Sequence, residues 1–74
     1  MQNKNWDENI IPELKEIEKD ILKLSAMGFT MKEIATQVYR SFDTVRLYRK
    51  TVFNKLGVNN ISEAISYAKI RRLI

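Results

Sequence analysis

The side chains with most to offer chemically are Arg46, Leu47, Lys50 and Asn54. On a helix turning about 100° per residue, with Val45 set at zero, Val52 and Leu56 fall in one narrow arc and Tyr48 at its edge. The opposite side carries Asp43, Leu47, Lys50 and Asn54, with Arg46 on one shoulder. If the first stripe enters a core, the second projects outward. Cations, an amide and an apolar group are what base edges in a major groove call for: Arg or Lys pairs with guanine, Asn with adenine, and Leu meets a thymine methyl. The plain alternative is an ordinary solvated helix face. Solvation explains Leu47 poorly, because a leucine gains nothing among exposed polar groups.

Catalysis has little to work with. The 74 residues contain no cysteine and no histidine, which removes thiolate chemistry, disulfides, the commonest general base and the commonest neutral metal ligand. Glu16 and Asp20, four apart on one helix, read as surface charges beside Lys19 and Lys23 rather than as a catalytic pair. No enzyme activity, cofactor or metal is expected. No apolar run approaches the length of a membrane span, and Met1–Asn5 lacks the apolar stretch of a signal peptide, so the expected location is cytoplasmic.

Charge is unevenly placed. Thirteen basic against nine acidic residues give +4 overall, yet residues 1–27 hold four lysines against six acids, net −2. Residues 28–74 hold nine cations against Glu33, Asp43 and Glu63, net +6. A basic half with an acidic lead-in suits a polyanionic partner.

Two glycines and one proline, among many Leu, Ile, Ala, Lys and Glu residues, predict helices joined by short turns. A first helix is expected from Pro12, with Leu14, Ile17, Ile21, Leu24 and Met27 on its apolar face and Gly28 as its stop. Thr30 and Glu33 have the spacing of a capping box and open a short second helix that buries Ile34, Ala35 and Val38. Ser41 caps a third helix running to Leu56 and stopped by Gly57. Asn60 and Glu63 repeat the box, and a fourth helix is expected to reach the chain end. The expected architecture is all-α: a compact four-helix domain over residues 12–74, preceded by a polar tail or linker over residues 1–11 that contains Trp6. A short capped helix, a turn at Tyr39–Ser41 and a longer cationic helix form the helix-turn-helix order, in which the second helix of the pair enters the groove.

The fourth helix carries an inward stripe of Ile61, Ala64, Ile65 and Ala68 and a second apolar set of Tyr67, Ile70 and Ile74 about half a turn away. Two apolar faces on one helix suggest a second copy as partner; the alternative is a chain end that folds back or frays. A symmetric pair would set two third helices roughly 34 Å apart, one turn of DNA.

The residues Thr30-Met31-Lys32-Glu33-Ile34-Ala35, Ser41-Phe42-Asp43-Thr44-Val45-Arg46 and Lys55-Leu56-Gly57-Val58, followed by Glu63-Ala64, resemble the LuxR/GerE-type helix-turn-helix found in many bacterial transcription regulators and NarL/FixJ-type response regulators. Residues 14–74 are covered. The resemblance implies a DNA-binding domain whose third helix contacts double-stranded DNA and whose fourth helix forms a homodimer. Its base-contacting places fall on Arg46, Leu47 and Lys50, to which the helix face adds Asn54. Its phosphate contacts fall on Thr30, Lys32, Thr44 and Lys55, with Tyr48 where the family usually has histidine; Arg40 and Arg49 are further cations within reach of a backbone. Lys15 and Ile17 replace a usual threonine and arginine, and Ile61 replaces the arginine before the fourth helix. Glu18 then has no arginine partner at 17 or 61, and an apolar contact between Ile17 and Ile61 is expected instead.

Two other readings stay open. One is an interaction module of the same fold that docks on RNA polymerase or another regulator; the other is a sigma-factor region 4, which has a similar helix-turn-helix. Whether the chain is a whole small regulator or the effector end of a longer response regulator is also open.

Overall fold

A computed structural model describes residues 13–74 and contains four helices: α1 (Glu16–Ala26), α2 (Met31–Val38), α3 (Phe42–Leu56) and α4 (Ile61–Ile70). Among the described residues there is no strand, so the expected all-α class holds. Pro12, expected to open the first helix, and the whole expected tail over residues 1–11, Trp6 included, lie outside the described residues.

Three of the four helix starts follow the expected side-chain chemistry. Thr30 Oγ1 accepts from the Glu33 amide at 3.2 Å while Glu33 Oε1 accepts from the Thr30 amide at 2.8 Å, a complete capping box. Ser41 Oγ accepts from the Thr44 amide at 3.1 Å, and Asn60 Oδ1 accepts from the Glu63 amide at 2.9 Å. Glu63 reaches one residue further back than the box spacing predicts and takes the Asn59 amide at 2.9 Å. The first helix departs from expectation. Residues 13–15 are not helical, so α1 starts at Glu16 rather than at Pro12, and Glu18 Oε1 accepts the Lys15 amide at 2.8 Å. A carboxylate at the third helical position thus outweighs the proline signal.

All four helices stop in the same way. A residue with positive φ follows each last turn: Gly28 (97°), Tyr39 (59°), Gly57 (69°) and Arg72 (58°). The next amide then reaches five residues back, from Phe29 to Leu24, Arg40 to Ala35, Val58 to Phe53 and Leu73 to Ala68. This is the Schellman closure, which takes up carbonyls that the helix end leaves free. Phe29, Val58 and Leu73 bring an apolar side chain back onto the core at that point. Arg40 has no such anchor. Its Nη1 instead donates to the carbonyls of Val38 and Tyr39, each at 3.3 Å.

The core has two parts on either side of α1. Ile21, Ile34, Ala35 and Val45 form one, joined by the half-buried Ile17, Leu24, Phe29, Val38 and Tyr48. Leu14, Leu22, Val52, Leu56, Ala64 and Ala68 form the other, with Phe53, Val58, Ile61 and Ile65 packed against it. Because α1 serves both, its buried arc is wider than one stripe and includes Leu22, which a single i, i+3, i+7 series omits. Met27, expected on that face, is 70% exposed, since the helix has ended at Ala26. Ile17 packs on the first cluster and Ile61 on the second, so each has a core partner other than the one expected for it.

The fourth helix is shorter than expected. It ends at Ile70, and the turn at Arg72 folds Leu73 and Ile74 back onto the second cluster, where Tyr67 also packs. Of the second apolar set only Ile70 stays fully outside, at 79% exposure.

Candidate nucleic-acid interface

The position of α3 is set by what it buries. Val45 and Val52 are almost without solvent contact and Leu56 nearly so, which fixes the rotation of the helix about its axis. The expected opposite face is exposed along its length: Asp43, Arg46, Leu47, Lys50 and Asn54 all lie in solvent. Leu47 is 61% exposed. A helix of 15 residues is about 22 Å long, enough to lie along a major groove while α2 packs across it. Arg46 Nη2 donates to Asp43 Oδ1 at 3.3 Å on this face. Beside it, Thr44, Leu47, Tyr48 and Thr51 line a shallow pocket of about 220 Å³, apolar apart from its hydroxyls. Thr51, one helical turn on from Leu47, joins this face without a signal in its residue type.

The residues expected to meet phosphate are placed less uniformly. Thr30 and Lys32 are exposed at the start of α2. Thr44 Oγ1 accepts from Ser41 Oγ at 2.8 Å and keeps its own proton to donate. Tyr48 is half-buried against the first cluster. Arg49 lies with its guanidinium carbon 5.5 Å from the Phe53 ring centroid, and its Nε is buried without a hydrogen-bond partner, so only the outer nitrogens reach solvent.

Lys55 differs from these. Its Nζ donates to Glu18 Oε1 at 2.8 Å and to the Glu13 carbonyl at 3.3 Å, leaving one of three N–H groups uncommitted. Glu18 is 1% exposed. The carboxylate that lacks an arginine partner therefore has a lysine from the far end of α3 instead, a partnership the sequence reading missed. Its signal was available: about 100° per residue puts Glu18 some 40° from Leu22 and 60° from Ile21, inside the apolar arc.

Among the described residues, no group of three or more acids, histidines or cysteines is arranged to hold a metal, and no helix is long and apolar enough to cross a membrane.

A capped helix, a left-handed turn at Tyr39 and a second helix displaying a cationic face define a helix-turn-helix domain. The model for the family described as bacterial regulatory proteins, luxR family, matches residues 13–68. The Fimbriae Z protein of Salmonella typhimurium is 39% identical over 57 residues, covering 77% of this chain and 27% of that protein. The transcriptional activator protein BglJ of Escherichia coli is 32% identical over 68 residues, covering 92% of this chain and 30% of that protein. A solved structure, the response regulator ChrA of a heme-sensing two-component system, superposes with a TM-score of 0.81 at 30% identity, covering 90% of this chain and 33% of that one. The chain belongs to the luxR family of bacterial regulatory proteins and carries its DNA-binding helix-turn-helix, a non-enzymatic domain of transcription regulators. It spans about a quarter to a third of the length of these relatives.

Proposed function

We propose that the chain binds a specific double-stranded DNA sequence by inserting α3 into the major groove, and that it regulates transcription from there in the bacterial cytoplasm. Arg46, Leu47, Lys50 and Asn54 meet base edges. Thr30, Lys32, Thr44, Tyr48 and Arg49 meet the flanking phosphates, joined by the free N–H of Lys55. The observation that carries this reading is the burial of Val45 and Val52, which turns the cationic face of the same helix to solvent. Residues 12–74 act as the binding domain and residues 1–11 as its lead-in.

A single module of this size buries only about 600–1,000 Å² on DNA, too little for strong discrimination, so the reading includes a homodimer through α4. Ile70, the fully exposed apolar side chain of that helix, is its central contact, with Tyr67 and Ile74 supporting from the core side. Docking on RNA polymerase is the competing use of the fold, favoured by one observation: Tyr39 in the turn is 87% exposed and off the α3 face.

Titration of labelled duplex at several salt concentrations separates the two. Groove binding predicts a fall of about 0.9 log units in affinity per phosphate contact for each tenfold rise in salt, and loss of sequence preference in Arg46→Ala and Lys50→Ala. A chain that binds duplex weakly, with no salt slope and no effect of either substitution, is a protein-docking module.

A further inference from the structure

The basic part of the chain, residues 28–74, contains three acids, and each has an identifiable partner. Glu33 and Glu63 take backbone amides at helix starts, from Thr30 and Asn59. Asp43 caps nothing, because Ser41 already occupies the N-cap of α3. Its carboxylate accepts from Arg46 Nη2, one turn along the DNA-facing side. The two side chains are 79% and 64% exposed, and an ion pair this wet adds little to stability. An acid on a face meant for a polyanion also opposes binding in general. Its position in the first turn suits the helix dipole, but any acid there, on any side of the helix, would serve that purpose.

We propose that Asp43 is a specificity-determining residue: it holds the Arg46 guanidinium by one edge, so that the other edge is presented to the O6 and N7 of a single guanine, and it penalises duplexes where that guanine is absent. A free arginine sweeps many rotamers and finds phosphates as readily as bases. A guanidinium held at Nη2 keeps its remaining donors in a fixed fork, the geometry that bidentate guanine recognition requires. The second Asp43 oxygen remains an acceptor, which a cytosine N4 amine satisfies and a phosphate does not. The inference rests on the major-groove reading proposed above.

The test uses a random-sequence duplex library enriched on the 74-residue chain, followed by a panel in which each base pair of the selected site is replaced in turn. Arg46→Ala should abolish the preference at one G·C pair. Asp43→Asn should reduce discrimination at that same pair by roughly fivefold to tenfold, the low end of what one bidentate contact supplies, and raise affinity for unrelated duplex by about twofold, with a fall of only a few degrees in the thermal midpoint. If Arg46→Ala relaxes one base pair and Asp43→Asn leaves it intact, Asp43 does not set specificity and the inference is overturned. A lower melting point for Asp43→Asn with discrimination intact also overturns it and makes Asp43 a helix-start acid. If Arg46→Ala changes no base preference anywhere, the major-groove reading itself fails.

Discussion

Glu18 Oε1 accepts a 2.8 Å hydrogen bond from Lys55 Nζ, tying the first turn of α1 to the last turn of α3 across 37 residues of sequence. The same oxygen accepts the Lys15 amide, so one buried carboxylate both starts α1 and fixes the end of α3. The tilt of α3 is thereby held at its C-terminal end by charge, while Val45 and Val52 hold its middle by burial.

Removing either partner is not equivalent. Lys55→Met leaves the carboxylate at 1% exposure without its cation, a situation that costs about 3 kcal/mol. Glu18→Gln keeps an acceptor for the Lys15 amide, and the Lys55 side chain, already 30% exposed, can extend to water, so about 1 kcal/mol is expected. Urea denaturation of the two variants checks the order. Equal losses would show that Glu18 is solvated when unpaired.

Tyr39 adopts φ 59°, ψ 42°, a left-handed conformation that costs a residue with a Cβ about 1–2 kcal/mol. Its ring is 87% exposed and has little packing to lose. Tyr39→Gly should therefore stabilise the domain by about 0.5–1 kcal/mol, after allowing for the extra freedom of glycine in the unfolded chain. Thermal melting reads this as a rise of several degrees in a domain of this size.

The substitution Ile70→Glu should leave the fold intact, because the side chain is 79% exposed, and should abolish cooperative occupation of a duplex bearing two half-sites. Binding to one half-site should be unchanged. Gel shifts on the two duplexes, with sedimentation for mass, make the comparison. Unchanged cooperativity would remove α4 from the dimer.

The parts of this domain legible in the sequence are those governed by local chemistry. Thr30, Ser41 and Asn60 declare helix starts because a short side-chain oxygen reaches an amide three residues on, whatever the rest of the chain does. The outward face of α3 is legible for a similar reason, since Val45, Val52 and Leu56 leave one rotation that buries them all. What stayed hidden depends on distant partners. Glu18 looks like one more acid of a charged helix until Lys55 arrives beside it. Ile74 looks free to meet a second copy until the turn at Arg72 brings it home. That turn carries no glycine to announce it, and neither does the one at Tyr39. Arg46, Leu47, Lys50 and Asn54, proposed to meet bases, are individually exposed; their joint meaning comes from lying on one side of one helix.

The most direct measurement of the central claim is a heteronuclear NMR titration of the isotopically labelled chain with a short duplex carrying its selected site. Groove insertion of α3 predicts the largest amide shifts between Asp43 and Asn54, smaller ones at Thr30 and Lys32, and little change at Lys23, Met27 and Lys69, which line a hollow between α1 and α4. Largest shifts along α1 and the end of α4, with residues 43–54 undisturbed, would contradict it.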